Sequence, residues 1–264
     1  MVKKLVFETI SLGTEPEIPD AAELAQWVGM QRGKNADLLS HLLEASLTPQ
    51  IDAGIIHPCT GGIFYGDRWK ESLLGLSGDE ITGELGVNPS YVADDAIRIR
   101  KITSGCRIAV PAPHTISLAD RYYHDEDEVC HALYTQYRHL FRTMRDNGIS
   151  GHVLSCEKPL PEELEALAGK RVFFFSESRD AESMAMLLEY QRAIAVNGRD
   201  LAILLGLGEE YEIDRIILID PDNDDIKEVL RNYDPDCIQV GGYCSAGDEK
   251  YWENLVNSAA ISLE

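Results

Sequence analysis

Positive charge is what this 264-residue chain has least of: 24 Lys and Arg stand against 45 Asp and Glu, a formal net charge of −21. Nucleic acid and anionic membrane are contacted through cations that displace counterions, so neither is expected as a partner, and an acidic partner is disfavoured with them. Long apolar runs are also missing. No stretch approaches a membrane span, and the start MVKKLVFETISLG lacks the apolar core and cleavage site of a secretory signal, which makes the expected location cytoplasmic. Cysteine is present without a pattern: positions 59, 106, 130, 156, 237 and 244 make no C-x-x-C pair and no dense framework. Such thiols in a cytosolic protein are free, buried or metal ligands rather than disulfides. Gly-Ser and Pro-rich linkers, fixed-period repeats and low-complexity segments are absent, so one domain over 1–264 is expected.

What is there is an alternation of short apolar runs and amphipathic stretches. Strands are predicted at 4–10, 53–57, 106–110, 151–156, 171–175, 201–206, 215–220 and 237–242. Between them lie helical patterns, the clearest being DEDEVCHALYTQYRHLFRTMRDNG. There Val129, Leu133, Tyr137, Leu140, Phe141 and Met144 form one stripe, acids open the first turn and Gly148 closes the last. DAESMAMLLEYQRAIAVNG reads as one helix stopped by Gly198. Eight strands with crossover helices predict an α/β fold with a parallel sheet, and the count fits a (β/α)8 TIM barrel, ahead of a doubly wound sheet. Residues 73–95 read as an insertion after the second strand, overhanging the catalytic face.

In such a barrel the C-terminal ends of the strands meet in one mouth. The predicted ends supply Glu8 and Thr9, His57 and Cys59, His114, Cys156 and Glu157, Ser176 and Glu177, Glu209 and Glu210, Asp220 and Asp222, and Tyr243 and Cys244. Thiols with imidazole suit zinc. Taken singly, each has a plain structural role open to it: buried filler for a cysteine, a carbonyl partner for His57, a helix cap for Asp220, Asp222 or Asp224. The other histidines read as structural or surface residues. AVPAPHTISLADRYYHDEDEV is the most pointed stretch, because φ is fixed at Pro111 and Pro113 in the turn that carries His114.

VPAPHTISLADRYYHDEDEV resembles the segment of cobalamin-independent methionine synthases that reads roughly PGP-x-T-L followed by a YY-x-D-x-E run. ETISLGTEP, IDAGIIHPCTGGIFYGDRW, NGISGHVLSCEKPL, FSESRDAE and GGYCSAGDEKYWENLVNSA resemble further segments of the same catalytic barrel in the same order. The resemblance places the chain in the methionine synthase and uroporphyrinogen decarboxylase group and implies methyl transfer to or from a homocysteine-type thiol. In that family a zinc held by His-x-Cys, Glu and a later Cys activates the thiol. Carried over, the last ligand falls on Cys244. The His-x-Cys pair falls on Val172 and Phe174, and the glutamate falls in LAILLGLG, with Glu209 and Glu210 nearby. The substrate-binding Asp-Glu pair falls on Cys156 and Glu157.

Two readings stay open from the sequence. Either the metal site has moved, with Cys244 joined by Cys59, His57, His114, Cys156 or Glu157, or the barrel binds a small molecule or protein without metal. The first gives His114 and Glu157 as catalytic, Thr9, Cys156, Glu157, Ser176 and Glu177 as substrate-binding, and Cys244, Cys59 and His57 as zinc ligands. Its partners would be a small thiol or methyl donor, with a corrinoid protein as one form of donor. A porphyrin-type decarboxylase ranks last, since Arg68, Arg107 and Arg179 are the only cations near the predicted mouth.

Overall fold

The structure, a computed structural model, describes residues 3–31, 36–245 and 250–263. The chain opens with β1 (Lys3–Val6), β2 (Glu8–Thr14), α1 (Ala21–Met30) and α2 (Leu38–Ala53), then β3 (Cys59–Gly61) and α3 (Gly66–Ser72). A hairpin of β4 (Leu73–Ser77) and β5 (Glu80–Val87) leads to α4 (Ser90–Ile102), β6 (Arg107–Pro111), β7 (Ala119–Asp120) and α5 (Glu126–Asp146). Regular alternation follows: β8 (Gly151–Cys156), α6 (Pro161–Leu167), β9 (Val172–Ser176), α7 (Ala181–Tyr190), β10 (Ala193–Val196) and α8 (Leu201–Leu207). It continues through β11 (Arg215–Ile219), α9 (Asn223–Val229), β12 (Ile238–Cys244), α10 (Tyr251–Ser258) and β13 (Ala260–Leu263).

Eight of these strands make the wall of a (β/α)8 barrel. They pair in parallel as two runs, β10-β11-β12-β2 and β3-β6-β8-β9. A parallel bridge from Ile10 to His57 joins the runs at one edge, with the Ser11 N–H donating to the His57 carbonyl at 3.0 Å and the His57 N–H to that of Thr9 at 2.9 Å. At the other edge β9 and β10 share no ladder among the described residues. The Gln191 amide spans that seam instead. Its oxygen accepts from the Phe174 N–H at 2.9 Å and its nitrogen donates to the carbonyls of Phe174 and Ala193, both at 3.0 Å.

Strand side chains alternate between lumen and helix layer. Ile10, Leu12, Cys59, Ala109, Val153, Phe173, Phe175, Ala195, Ile217 and Ile219 fill the lumen as a packed core. Outside the wall, one layer gathers around Trp69, Tyr137 and Phe141 and another around Val196, Leu218 and Trp252. Helix α5 forms as its stripe predicts: Asp125 caps it, three acids occupy the first turn, and Leu133, Tyr137, Leu140, Phe141 and Met144 are buried. No helix among the described residues is long and apolar enough to cross a membrane.

Several predicted elements move. The first strand divides at Phe7, whose N–H bonds the Ala259 carbonyl, so the barrel strand runs Glu8–Thr14 while β1 pairs antiparallel with β13. The second is displaced because α2 continues through Ala53 and ends on Gly54 at φ 83°, a left-handed cap that suits glycine. The sixth is not LAILLG, which is helix α8, but AIAV, since the helix predicted to run on to Gly198 ends at Tyr190. A short apolar run does not distinguish strand from buried helix by period alone. The inserted segment is the β4–β5 hairpin, extended by β7, while residues from Ser90 onward belong to α4. The start of the predicted terminal helix, Asp248 and Glu249, lies outside the described residues.

Candidate functional site

With the strands in their observed bounds, the mouth is formed by the residues that follow Ser176, Val196, Ile219 and Gly242. A cavity of about 840 Å³ opens there, lined by Phe175, Glu177, Arg179, Asn197, Arg199, Asp220 and Tyr243 among others. Tyr243 forms one wall. Its hydroxyl donates to Glu15, whose carboxylate also accepts the N–H groups of Ile63 at 2.5 Å and Phe64 at 3.3 Å, and its ring lies 6.0 Å from that of Phe175. Burial, then the bond to Glu15, pushes the phenol well up, so it stays a neutral donor.

Asp220 is the unusual residue of this cavity. Its backbone sits at φ 45°, a left-handed conformation that aspartate tolerates better than most residues, at the point where β11 ends. Its carboxylate accepts from the Tyr251 hydroxyl at 2.6 Å. A side chain on Gly242 would stand 1.9 Å from that hydroxyl, so the glycine is required for the Tyr251–Asp220 contact. Asp220 reaches solvent at the cavity wall, and desolvation by the surrounding protein nevertheless raises its pKa, opposed by Tyr251 and Arg179. Arg179 approaches Asp200 at 3.8 Å, yet its Nε and the Asp200 Oδ2 have no hydrogen-bond partner among the described residues. A raised carboxyl, an incompletely satisfied guanidinium and a fixed phenol can together hold and orient a small polar molecule.

A second cavity of about 430 Å³ adjoins the first through Glu177 and is lined by Pro111, Thr115, Ile116, Ser155, Cys156 and Glu157, among others. Pro113 starts the one-turn helix Pro113–Thr115. In it the His114 N–H donates to Glu163 Oε1 at 2.6 Å, and its Nδ1 lies 2.8 Å from Oε2 of the same carboxylate. Since a carboxylate only accepts, Nδ1 carries the proton. The rigid turn therefore serves to lock His114 onto the buried Glu163 of α6 (1 % exposed), while its neighbours Thr115 and Ile116 face the cavity. Burial, with Glu163 and Glu177 adding to it, pushes the Cys156 thiol up to about 12, so Cys156 is a thiol rather than a thiolate at neutral pH.

The remaining sequence-derived candidates part company. Glu157 and Glu177 reach the mouth as expected. Ser176 is buried and donates to the Glu157 carbonyl at 2.9 Å, holding the strand end. Thr9 is buried at the opposite end of the barrel, because β2 starts rather than ends there, and its hydroxyl accepts from the Ile56 N–H at 3.0 Å. His57 is at that same end, 3.1 Å from Glu8, which also accepts from Gln239 at 2.8 Å. Cys59 packs in the lumen, where burial pushes its thiol well up. Cys244 follows Tyr243 by one residue and so faces the other way, packed in the helix layer with Trp252 and Leu255. Cys244, Cys59 and His57 thus occupy three separate environments. Glu209 and Glu210 are exposed beyond α8.

The donor set is equally unsuited to the zinc site that the resemblance implies. Val172 and Phe174 offer no ligand atom, and with the sixth strand at Ala193–Val196 its end residue is Asn197 rather than a glutamate. No group of three or more His, Cys, Asp or Glu among the described residues is arranged to hold a metal ion. Asp222 is the helix cap that its sequence suggests, accepting from the N–H groups of Asp224 and Asp225 in a capping box. Asp220, two residues earlier, is not. Its position at the end of RIILID was the signal that separates it from the cap.

No protein-family model matches the sequence, and no curated protein does. Among solved structures, a B12-independent methionine synthase from Shewanella sp. W3-18-1 in complex with selenomethionine superposes with a TM-score of 0.59 at 13% identity, covering 97% of this chain and 96% of that one. A putative vitamin-B12 independent methionine synthase from Listeria monocytogenes gives 0.51 at 14% identity, covering 92% and 93%. The chain therefore has the barrel fold of these proteins over nearly its whole length.

Proposed function

We propose that the chain is a methionine-synthase-like barrel whose mouth binds a small, zwitterionic, amino-acid-like molecule, with methyl transfer to or from a thiol as its reaction class. The observation that carries this is the 840 Å³ cavity, where Arg179 and Arg199 offer cations for a carboxylate and Glu177 and Asp220 offer carboxylates for an ammonium group. Such a molecule would be oriented between the two charge types and against Phe175 and Tyr243. The fold likeness adds support, since one of the similar structures holds selenomethionine. A zinc-activated version of the reaction is disfavoured, because Val172, Phe174 and Asn197 stand at the implied ligand positions and Cys244 packs against Trp252.

A binding barrel without turnover is the second reading. It is favoured by Cys156, whose thiol is held protonated beside Glu157. Thermal-shift and calorimetric titrations with methionine and homocysteine, with and without zinc, test the common ground of both. Saturable binding independent of zinc is expected, together with about tenfold weaker binding in Asp220→Asn. Stoichiometric zinc on protein purified without a metal column would restore the zinc-dependent version. A methyl-transfer assay then separates catalyst from binder.

A further inference from the structure

The opposite end of the barrel carries a different chemistry. A cavity of about 450 Å³ lies where the strands begin and β9 and β10 separate, and Arg107, Lys170, Arg192 and Arg215 line it against one carboxylate, Asp214. Arg192 is engaged by Glu212 at 2.9 Å and by Asp214 at 4.0 Å. Arg107, Lys170 and Arg215 form no ion pair within 4 Å among the described residues, although Arg215 acts at longer range on Glu8, in a chain whose net charge is −21.

Arg107 is the telling member. It is only partly exposed, its electrostatic neighbours are the buried Cys59 thiol and the like-charged Arg215, and no carboxylate among the described residues pairs with it. Burial, with Arg215 adding to it, holds its guanidinium below the usual range. A partly desolvated guanidinium facing a second one is destabilising unless a counter-charge is supplied. Phe173 and Ile217 form an apolar floor beside it, which strengthens any charge interaction made there.

We infer that this cavity at the N-terminal end of the barrel is a binding site for a small multivalent oxyanion, an organic phosphate or a polycarboxylate, held by Arg107, Arg215 and Lys170. Guanidinium forks match both oxyanion types, and the cavity is larger than a bare phosphate ion needs. The site is remote from the mouth and does not depend on the function proposed for it. Its ligand would join β6 to β11 across the barrel floor and support the seam that Gln191 bridges.

The test uses the full chain in buffer free of phosphate and carboxylate, titrated with inorganic phosphate, pyrophosphate and citrate against chloride at matched ionic strength. Saturable binding and a rise of several degrees in Tm are expected for at least one titrant; preference for pyrophosphate or for citrate identifies the source of the charge. Arg107→Gln and Arg215→Gln should each weaken binding at least tenfold, whereas Arg199→Gln at the mouth should not. Without anion, Arg107→Gln should be at least as stable as the wild type, which a purely structural arginine would not allow. No saturable effect beyond chloride, or affinity that survives the Arg107→Gln/Arg215→Gln double variant, would overturn the inference.

Discussion

The two ends of this barrel are built from the same strands and carry opposite charge. At the C-terminal mouth, Arg179 and Arg199 share a cavity with Glu177, Asp220, Asp222 and Asp225; at the N-terminal base, four cations line a cavity with Asp214, and Glu212 pairs with one of them, Arg192. Between them the lumen is apolar and packed, so neither end is screened by water from within. A net charge of −21 describes neither end. A local cluster of cations in a partly dry cavity follows its own electrostatics.

The difference can be broken or sharpened by four substitutions. The largest effect is expected at His152, in the base half of β8. It is 1 % exposed, its ring lies 4.1 Å from Phe141, and neither ring nitrogen has a hydrogen-bond partner among the described residues. Burial, then Arg145, lowers its pKa from 6.5 to about 3. The unfolded chain binds this proton below pH 6.5 and the folded chain does not until about pH 3, so stability is intact above 6.5 and falls as the pH drops. Between pH 6.5 and 4 the wild type should lose roughly 3 kcal/mol more than His152→Phe, at about 1.4 kcal/mol per unit. Urea midpoints across that range read the difference. If acid sensitivity came from the mouth carboxylates instead, the two profiles would run parallel.

Next is the seam that connects the ends. Gln191→Ala removes the amide that answers the Phe174 N–H and the carbonyls of Phe174 and Ala193. Buried backbone groups left unpaired cost about 1–3 kcal/mol, so a loss of about 2 kcal/mol in chemical unfolding is expected. Gln191→Glu should be milder at low pH, where its protonated carboxyl can still donate.

The third effect concerns the mouth alone. Asparagine tolerates the left-handed backbone and can keep the Tyr251 hydrogen bond, so Asp220→Asn should fold normally while losing the charge. Affinity for a zwitterionic amino acid should fall about tenfold, roughly 1.4 kcal/mol. Unchanged affinity would remove Asp220 from the site. The smallest effect belongs to the base. Arg107→Gln should leave stability unchanged or raise it by under about 1 kcal/mol, measured by thermal unfolding without anions.

Much of the wall was legible in the sequence. RIAVP, GHVLSC, VFFFS and RIILI are strands, and the α5 stripe points inward as its period requires. The site was less legible for a physical reason: strand side chains alternate, so a shift of one residue moves a candidate from lumen to helix layer. Cys244 and Tyr243 exchange roles in this way. Moving the first strand to Glu8–Thr14 sends Thr9 and His57 to the base, and assigning strand to AIAV instead of LAILLG removes Glu209 and Glu210 from the mouth. The prolines single out His114, but its partner Glu163 lies in the next connection, beyond the reach of local pattern. The cations of the base come from separate strand starts, and only the barrel wall brings them together.

The most direct test titrates methionine and pyrophosphate calorimetrically into the wild type, Asp220→Asn and Arg107→Gln. Methionine binding should weaken about tenfold in Asp220→Asn and be unchanged in Arg107→Gln, and pyrophosphate should behave the opposite way. Two ligands weakened by the same substitution, or neither bound by the wild type, would contradict a barrel with two chemically distinct ends.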